Sequence, residues 1–179
     1  VWQWLQDERS ATPERIGVLG VSMGAGTAAI AFGEESGLQA VFLESPFSSM
    51  GSIIEEELAF AGFPPFLKDA AVFAGKVSSG DDLVKREPIE AMERIGDRSV
   101  FITQSLEDVR INIHHGRAMC DAASAHVGAN GSVECWFESS AVAHNDRNES
   151  GVLSNVTLML TQPETYRNKM VDFFEDALA

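Results

Sequence analysis

Gly20-Val21-Ser22-Met23-Gly24 is a G-x-S-x-G, set between an apolar run at 15–21 and a stretch of small, helix-compatible residues at 22–31. A serine hydroxyl is a weak nucleophile at neutral pH, so it needs a base beside it and a backbone that presents it. A tight strand-to-helix turn supplies the presentation. The backbone at such a serine is strained, and the residues two before and two after it must be small for the chain to fold so sharply. The helix that follows aims its first N–H groups at the same place, where they stabilise developing negative charge. The Met23 backbone N–H is then the candidate oxyanion donor. The implied chemistry is attack on an acyl carbonyl; a glycine-rich packing turn is the alternative.

Stepping outward, the elements that hold this turn follow from apolar patterning. Trp2, Trp4 and Leu5 belong to an opening helix, and residues 10–14 form a turn. The runs at 15–21, 40–43, 99–103 and 132–138 are short, apolar and bounded by turn residues, as buried strands are. Helices are expected at 22–31, 89–95 and 113–126, and Pro163 opens a last amphipathic helix carrying Tyr166, Met170, Phe173, Phe174 and Leu178. Between the second and third strands, residues 46–85 break the pattern, with Glu55-Glu56-Glu57 and then Phe60, Phe63, Pro64, Pro65, Phe66 and Phe73 on short helices interrupted by the proline pair. Strands alternating with helices imply an α/β fold with a mainly parallel sheet covered on both faces.

Composition excludes several classes. With 13 Lys+Arg against 27 Asp+Glu in 179 residues, the formal net charge is −14. A phosphate-binding surface needs clustered basic residues, so nucleic acid is not an expected partner. The chain is 45% hydrophobic and 22% charged, enough for a core and outside the disordered regime. No run approaches the ~18–20 apolar residues of a membrane span, and a soluble protein is expected. The segment Gly20 to Gly26 lacks both the full G-x-G-x-x-G order and the lysine of a phosphate loop, so no cofactor is implied.

The sequence P-E-R-I-G-V-L-G-V-S-M-G-A-G, from Pro13, resembles the α/β-hydrolase superfamily, in particular its prolyl-oligopeptidase-like and dienelactone-hydrolase-like branches. L-E-S-P-F-S-S-M after the second strand, R-E-P-I-E-A-M before the third and H-G-R-A-M after it extend the resemblance over most of the chain. It implies a Ser-acid-His triad in that chain order, several strands ahead of the serine, and a second oxyanion donor on a loop after one of them. On that basis residues 1–179 are expected to be the C-terminal part of one α/β-hydrolase domain, with 46–85 as its cap or lid.

The acid falls in T-Q-S-L-E-D-V-R-I after the third strand, where Asp108 takes the family's acid position and Glu107 is the alternative if the register slips by one. Relatives usually carry His-Gly where this chain has Gln104-Ser105, and Pro where it has Asn112. For the base, His114, His115 and His126 fall on or near the helix after the third strand, where solvated or packing roles are expected. His144 alone lies in the loop after the fourth strand, in S-A-V-A-H-N-D, which resembles P-G-A-G-H without its glycines and proline. A competing register puts the base about eight residues before P-E-x-Y, which lands on Asn155.

The expected function is a serine hydrolase that cleaves an ester, thioester or amide of a small-molecule or peptide acyl substrate through Ser22, Asp108 and His144. The alternatives are an inactive relative serving as a binding or scaffold module, which the Asn155 register favours, and an acyltransferase using the same triad. Phe60, Phe63 and Phe66, with Phe73, either line an acyl pocket or seat the cap on the core, and the packing role is expected. Glu55-Glu56-Glu57 is expected to be a solvated helix face, with a cation-selective rim as the alternative. Cys120 and Cys135 lack C-x-x-C spacing and read as two free thiols; no metal ligands are expected, and spacing leaves open whether the thiols pair. The three N-x-S/T sequons at Asn130, Asn148 and Asn155 are taken as chance matches.

Overall fold

A computed structural model describes residues 2–82, 84–139, 146–147, 153–154 and 157–179; His144 and Asn155 lie outside the described residues. The chain begins with helix α1 (Trp2–Arg9), followed by strand β1 (Gly17–Val21), helix α2 (Met23–Glu34) and strand β2 (Ala40–Glu44). Helices α3 (Met50–Phe60), α4 (Lys68–Ser79) and α5 (Pro88–Met92) precede strand β3 (Ser99–Ser105). Helix α6 (Ile113–His126) leads into strand β4 (Ser132–Glu138), then the short strands β5 (Asp146–Arg147) and β6 (Leu153–Ser154), and helices α7 (Thr157–Thr161) and α8 (Pro163–Ala177). The four predicted long strands are all present. The second runs on to Glu44 and the third to Ser105, because their polar last residues stay buried in the ladder.

These four strands form one parallel sheet in the order β1-β2-β3-β4. Val18 pairs with Val41, Val41 with Val100 and Val100 with Val133. Sequential order with crossovers of one hand sends every connecting helix to the same face. Ala25, Ala28, Ala29 and Phe32 of α2, Ala91 and Met92 of α5, and Met119 and Ala123 of α6 accordingly pack there against Val41, Leu43, Val100 and Ile102. The opposite face, presented by the alternate residues Ala40, Phe42 and Phe101, is covered by Tyr166 and Phe173 of α8 and by Leu158. Phe42 stacks on Phe101 at 4.6 Å between ring centroids, and Tyr166 and Phe173 meet Phe42 edge-on. Both middle strands are fully buried, the condition under which strands read as unbroken apolar runs.

Residues 46–85 fold as expected into short helices outside the sheet, with a single 3₁₀ turn at Pro65–Leu67 between α3 and α4. The packing expectation for their aromatics is not met. Phe60, Phe63, Phe66 and Phe73 are 62%, 54%, 79% and 68% exposed. Only Ile53 of α3 is buried, and α4 buries no residue, so the apolar faces of these helices turn outward.

The cysteines also depart from the sequence reading: Cys120 of α6 and Cys135 of β4 form a disulfide. They are 15 residues apart with Cα atoms 6.3 Å from one another, because a helix and the strand that follows it lie side by side. Spacing alone does not reveal such a neighbour. Closing a loop of this length removes about 3 kcal/mol of unfolded-state entropy. Replacing both cysteines with serine is therefore expected to lower the unfolding free energy by about 2–4 kcal/mol, read as a shift of the urea midpoint at unchanged slope.

Candidate active site

Ser22 sits between β1 and α2 with φ 54° and ψ −121°, a backbone conformation that side-chain-bearing residues rarely adopt. Such a conformation costs on the order of 1–3 kcal/mol and persists only where the surroundings over-determine it. Here they do. The Ser22 N–H donates to the Glu44 carbonyl at 2.8 Å, and the Ser22 carbonyl accepts from Ala25 N–H at 2.9 Å and Gly26 N–H at 3.3 Å. The turn is thus tied to the neighbouring strand and to the first turn of its own helix. Met23 follows at the first helical position, its side chain 77% exposed.

The two glycines of the motif play different parts. A Cβ at Gly20 would lie 2.3 Å from the Gly24 carbonyl oxygen and 2.7 Å from Ala25 Cα, so only glycine lets α2 approach β1 this closely. At Gly24 a Cβ would meet nothing within 4 Å, and the expectation that both positions must be small holds for Gly20 alone.

Asp108 lies beyond the end of β3 and is 7% exposed. Its Oδ1 accepts from the backbone N–H of Arg110 at 3.0 Å and of Ile111 at 2.9 Å, which folds the loop around the carboxylate. Gln104 Nε2 donates to Asp108 Oδ2 at 3.3 Å and to the Ile111 carbonyl at 2.5 Å. Both partners are acceptors, which assigns the amide nitrogen to that side. Glu107 turns the other way: it is exposed and accepts from Ser105 Oγ at 3.2 Å. Of the two acids weighed from the sequence, Asp108 is the one held inside.

The acid loop is also strapped from outside. Arg110 meets Glu57 of α3 through Nε to Oε1 at 2.5 Å and through a second contact, Nη2 to Oε2, and its guanidinium lies 4.7 Å from the Phe60 ring centre. Glu55 pairs with Lys68 at 3.1 Å. Glu56 faces the Nε2 atoms of His114 and His115 at 3.3 and 3.2 Å. The acidic run is thus ion-paired as well as partly solvated. Each of its carboxylates has a different basic partner, and those of Glu56 and Glu57 lie at or beside the acid loop.

Among the histidines, His115 is fully buried, with Nδ1 3.2 Å from the Ser48 N–H and 2.8 Å from Ser48 Oγ. Burial pushes its imidazolium below the ordinary histidine range; Glu56 opposes this and His114 adds to it. His114 is exposed, and His126 is exposed with Nδ1 2.8 Å from the Ala122 carbonyl. The role given to His144 falls outside the described residues.

Sequence reasoning passed over three features. Glu44, closing β2, is fully buried; burial and its carboxylate push the Tyr166 phenol of α8 upward. The signal was an acidic residue ending an otherwise apolar run. Gln104 was noted only as a departure from the relatives, although it carries the acid loop. Glu56, His114 and His115 come together although no metal ligands were expected from spacing. Adjacent histidines on a helix and a glutamate from a distant helix make no linear motif.

No protein-family profile matches the chain, and no curated protein matches it in sequence. Solved structures do. An esterase of Pyrococcus furiosus, Pf2001, superposes with a TM-score of 0.67 at 19% identity over 99% of this chain and 60% of its own. The fold is that of the α/β-hydrolases. An acylaminoacyl peptidase of Pyrococcus horikoshii gives 0.65 at 18% identity, and a puromycin-hydrolyzing peptidase of Mycobacterium tuberculosis 0.64 at 17%. Each is covered over 99% of this chain and over 26% and 24% of its own length, respectively. The chain thus spans about 60% of the esterase and about a quarter of each peptidase. Among the described residues no helix is long and apolar enough to cross a membrane.

Within this α/β-hydrolase fold, the turn at Ser22 depends on the bare backbone of Gly20. Gly20→Ala is expected to destabilise the protein by about 3 kcal/mol or more, by the overpacking its Cβ forces. Gly24→Ala, inside α2 with open space around it, is expected to be neutral or to stabilise by about 0.5–1 kcal/mol. Thermal unfolding of the two variants beside the parent measures both.

Proposed function

We propose that the protein is a serine hydrolase that cleaves an ester, thioester or amide through an acyl-enzyme, with Ser22 as nucleophile, His144 as base and Asp108 as the acid that orients it. The observation that carries this reading is the backbone of Ser22. A serine held at positive φ on the turn between a parallel strand and a helix is a costly arrangement, and presenting a hydroxyl at the carboxyl end of the sheet gives it a use. Asp108 supports the reading from the end of β3 in the same sheet, its Oδ1 fixed by two backbone N–H groups and its Oδ2 by Gln104.

In this mechanism Ser22 Oγ attacks the substrate carbonyl carbon while His144 takes the hydroxyl proton. The Met23 N–H, at the head of α2, donates to the oxyanion that forms. Collapse of the tetrahedral intermediate expels the alcohol, thiol or amine, which receives the proton from His144, and leaves an acyl ester on Ser22. Water, deprotonated by His144, then attacks that ester, and collapse breaks the bond to Ser22 Oγ, which takes the proton back from His144 as the carboxylic acid leaves. Asp108 holds the imidazole tautomer and stabilises the imidazolium in both halves.

We propose further that the chain is the C-terminal part of one such domain and that residues 46–85 cap its site. The partial coverage of the esterase and the outward apolar face of α3 and α4 support this.

Kinetics with a p-nitrophenyl ester tests the triad. Ser22→Ala and His144→Ala are each expected to lower kcat by about 10⁴- to 10⁶-fold, with the double variant no worse than either single one, and Asp108→Asn by about 10⁴-fold. Undiminished turnover in Ser22→Ala would overturn the reading. Undiminished turnover in His144→Ala alone would remove that histidine from the triad.

A further inference from the structure

We propose that Glu56, His114 and His115 form a zinc(II) site that clips helix α3 to the first turn of α6, just after the acid loop. Glu56 Oε1 lies 3.3 Å from His114 Nε2 and 3.2 Å from His115 Nε2, and all three ligand atoms fall within 4.8 Å of one another. Around a tetrahedral zinc with bonds of ~2.0–2.2 Å, neighbouring ligand atoms stand about 3.3–3.6 Å apart. A hydrogen bond between a charged nitrogen donor and a carboxylate closes to about 2.7–2.9 Å. The two carboxylate–imidazole separations lie at the short edge of the range for zinc ligands, and the third pair of ligand atoms lies within 4.8 Å.

Two further observations point the same way. His115 is fully buried, and its Nε2 lacks a hydrogen bond of good geometry, facing the Glu56 carboxylate at 3.2 Å. A buried nitrogen left in this state is costly, and a metal–nitrogen bond would satisfy it. Secondly, neighbouring residues on a helix point about 100° apart, whereas the rings of His114 and His115 converge to 4.1 Å between centroids, with both Nε2 atoms turned to the same carboxylate oxygen.

Of the two outer contacts of His115, the one to Ser48 Oγ fits a ligating imidazole. With its proton on Nδ1, His115 donates to Ser48 Oγ at 2.8 Å and turns the Nε2 lone pair to the ion. The Ser48 N–H, 3.2 Å from the same nitrogen, serves the opposite tautomer, so zinc binding selects the Nδ1–H form. Two imidazoles and one carboxylate with an open fourth position suit zinc, and the hard cations calcium and magnesium do not. His114 is exposed, and a cavity of about 330 Å³ lined by Ser52, Glu55, Glu56, Ala59 and Pro65 opens beside the carboxylate, giving entry and room for a water ligand. The site stands independently of the triad: it stabilises the junction that Glu57 and Arg110 already strap, and it needs no catalytic role.

Calorimetric titration of the chelator-stripped protein with zinc chloride tests it. One zinc per chain is expected, with a rise in melting temperature that calcium and magnesium do not reproduce. Cobalt(II) in its place should give the visible absorption of tetrahedral coordination. Glu56→Gln and His114→Ala alter partly or largely exposed side chains, so the fold should survive, checked by circular dichroism. Each is expected to weaken zinc at least tenfold, Ser48→Ala about tenfold or more, and His126→Ala not at all. Absence of one-to-one binding, or parent-like affinity in both Glu56→Gln and His114→Ala, would overturn the proposal.

Discussion

The close approach of strand and helix at Gly20 governs what the rest of the structure can do. With no Cβ there, the first turn of α2 lies directly against β1, and the chain reverses from strand to helix in the single residue Ser22. That reversal forces a positive φ on a residue that resists it. Hydrogen bonds from the adjacent strand end and from the helix it opens hold the serine there. Because β1 lies in register beside β2, the Ser22 N–H reaches the carbonyl of Glu44, whose side chain is buried in turn. Strain at one residue is thus balanced by order in two strands and a helix.

A second ordered loop stands two strands away. The loop after β3 is gathered from both sides: Gln104 reaches from the strand to Asp108 and the Ile111 carbonyl, and Glu57 reaches from α3 to Arg110. Neither contact is repeated by regular secondary structure. Helix α3 buries only one residue, so polar contacts to Arg110, and those of Glu56 to the two histidines, do much of the work that a core face does elsewhere. Phe60 at its end meets the Arg110 guanidinium, and Phe63, Phe66 and Phe73 beyond it are exposed.

What could be read from the residue string divides along a physical line. Local patterns were legible: four apolar runs became the four parallel strands, residues 113–126 became α6 with the bounds expected, and the strand-turn-helix around Ser22 followed from glycine spacing. Each depends on residues within a few positions of one another. Features made by non-local approach were not legible. The Cys120–Cys135 bond forms because α6 runs back along β4, and no cysteine spacing encodes that. The outward turn of Phe60, Phe63 and Phe66 depends on how α3 is anchored, whereas aromatic residues in a string look like core wherever they stand. The acidic run looked solvated because its partners, Lys68, Arg110 and the histidine pair, lie between 13 and 59 residues further along. The register of the acid was legible only as a choice between neighbours, and burial separates Asp108 from Glu107.

In the proposed mechanism the strained serine is the group that takes the acyl unit. Treating the protein with a fluorophosphonate and mapping the adduct by peptide mass spectrometry tests this directly, since the phosphonyl group stays on the oxygen that attacked. The result expected is a single adduct on Ser22, formed in the native protein and abolished by denaturation. An adduct on another residue, or none on a preparation that turns over an ester, would contradict it.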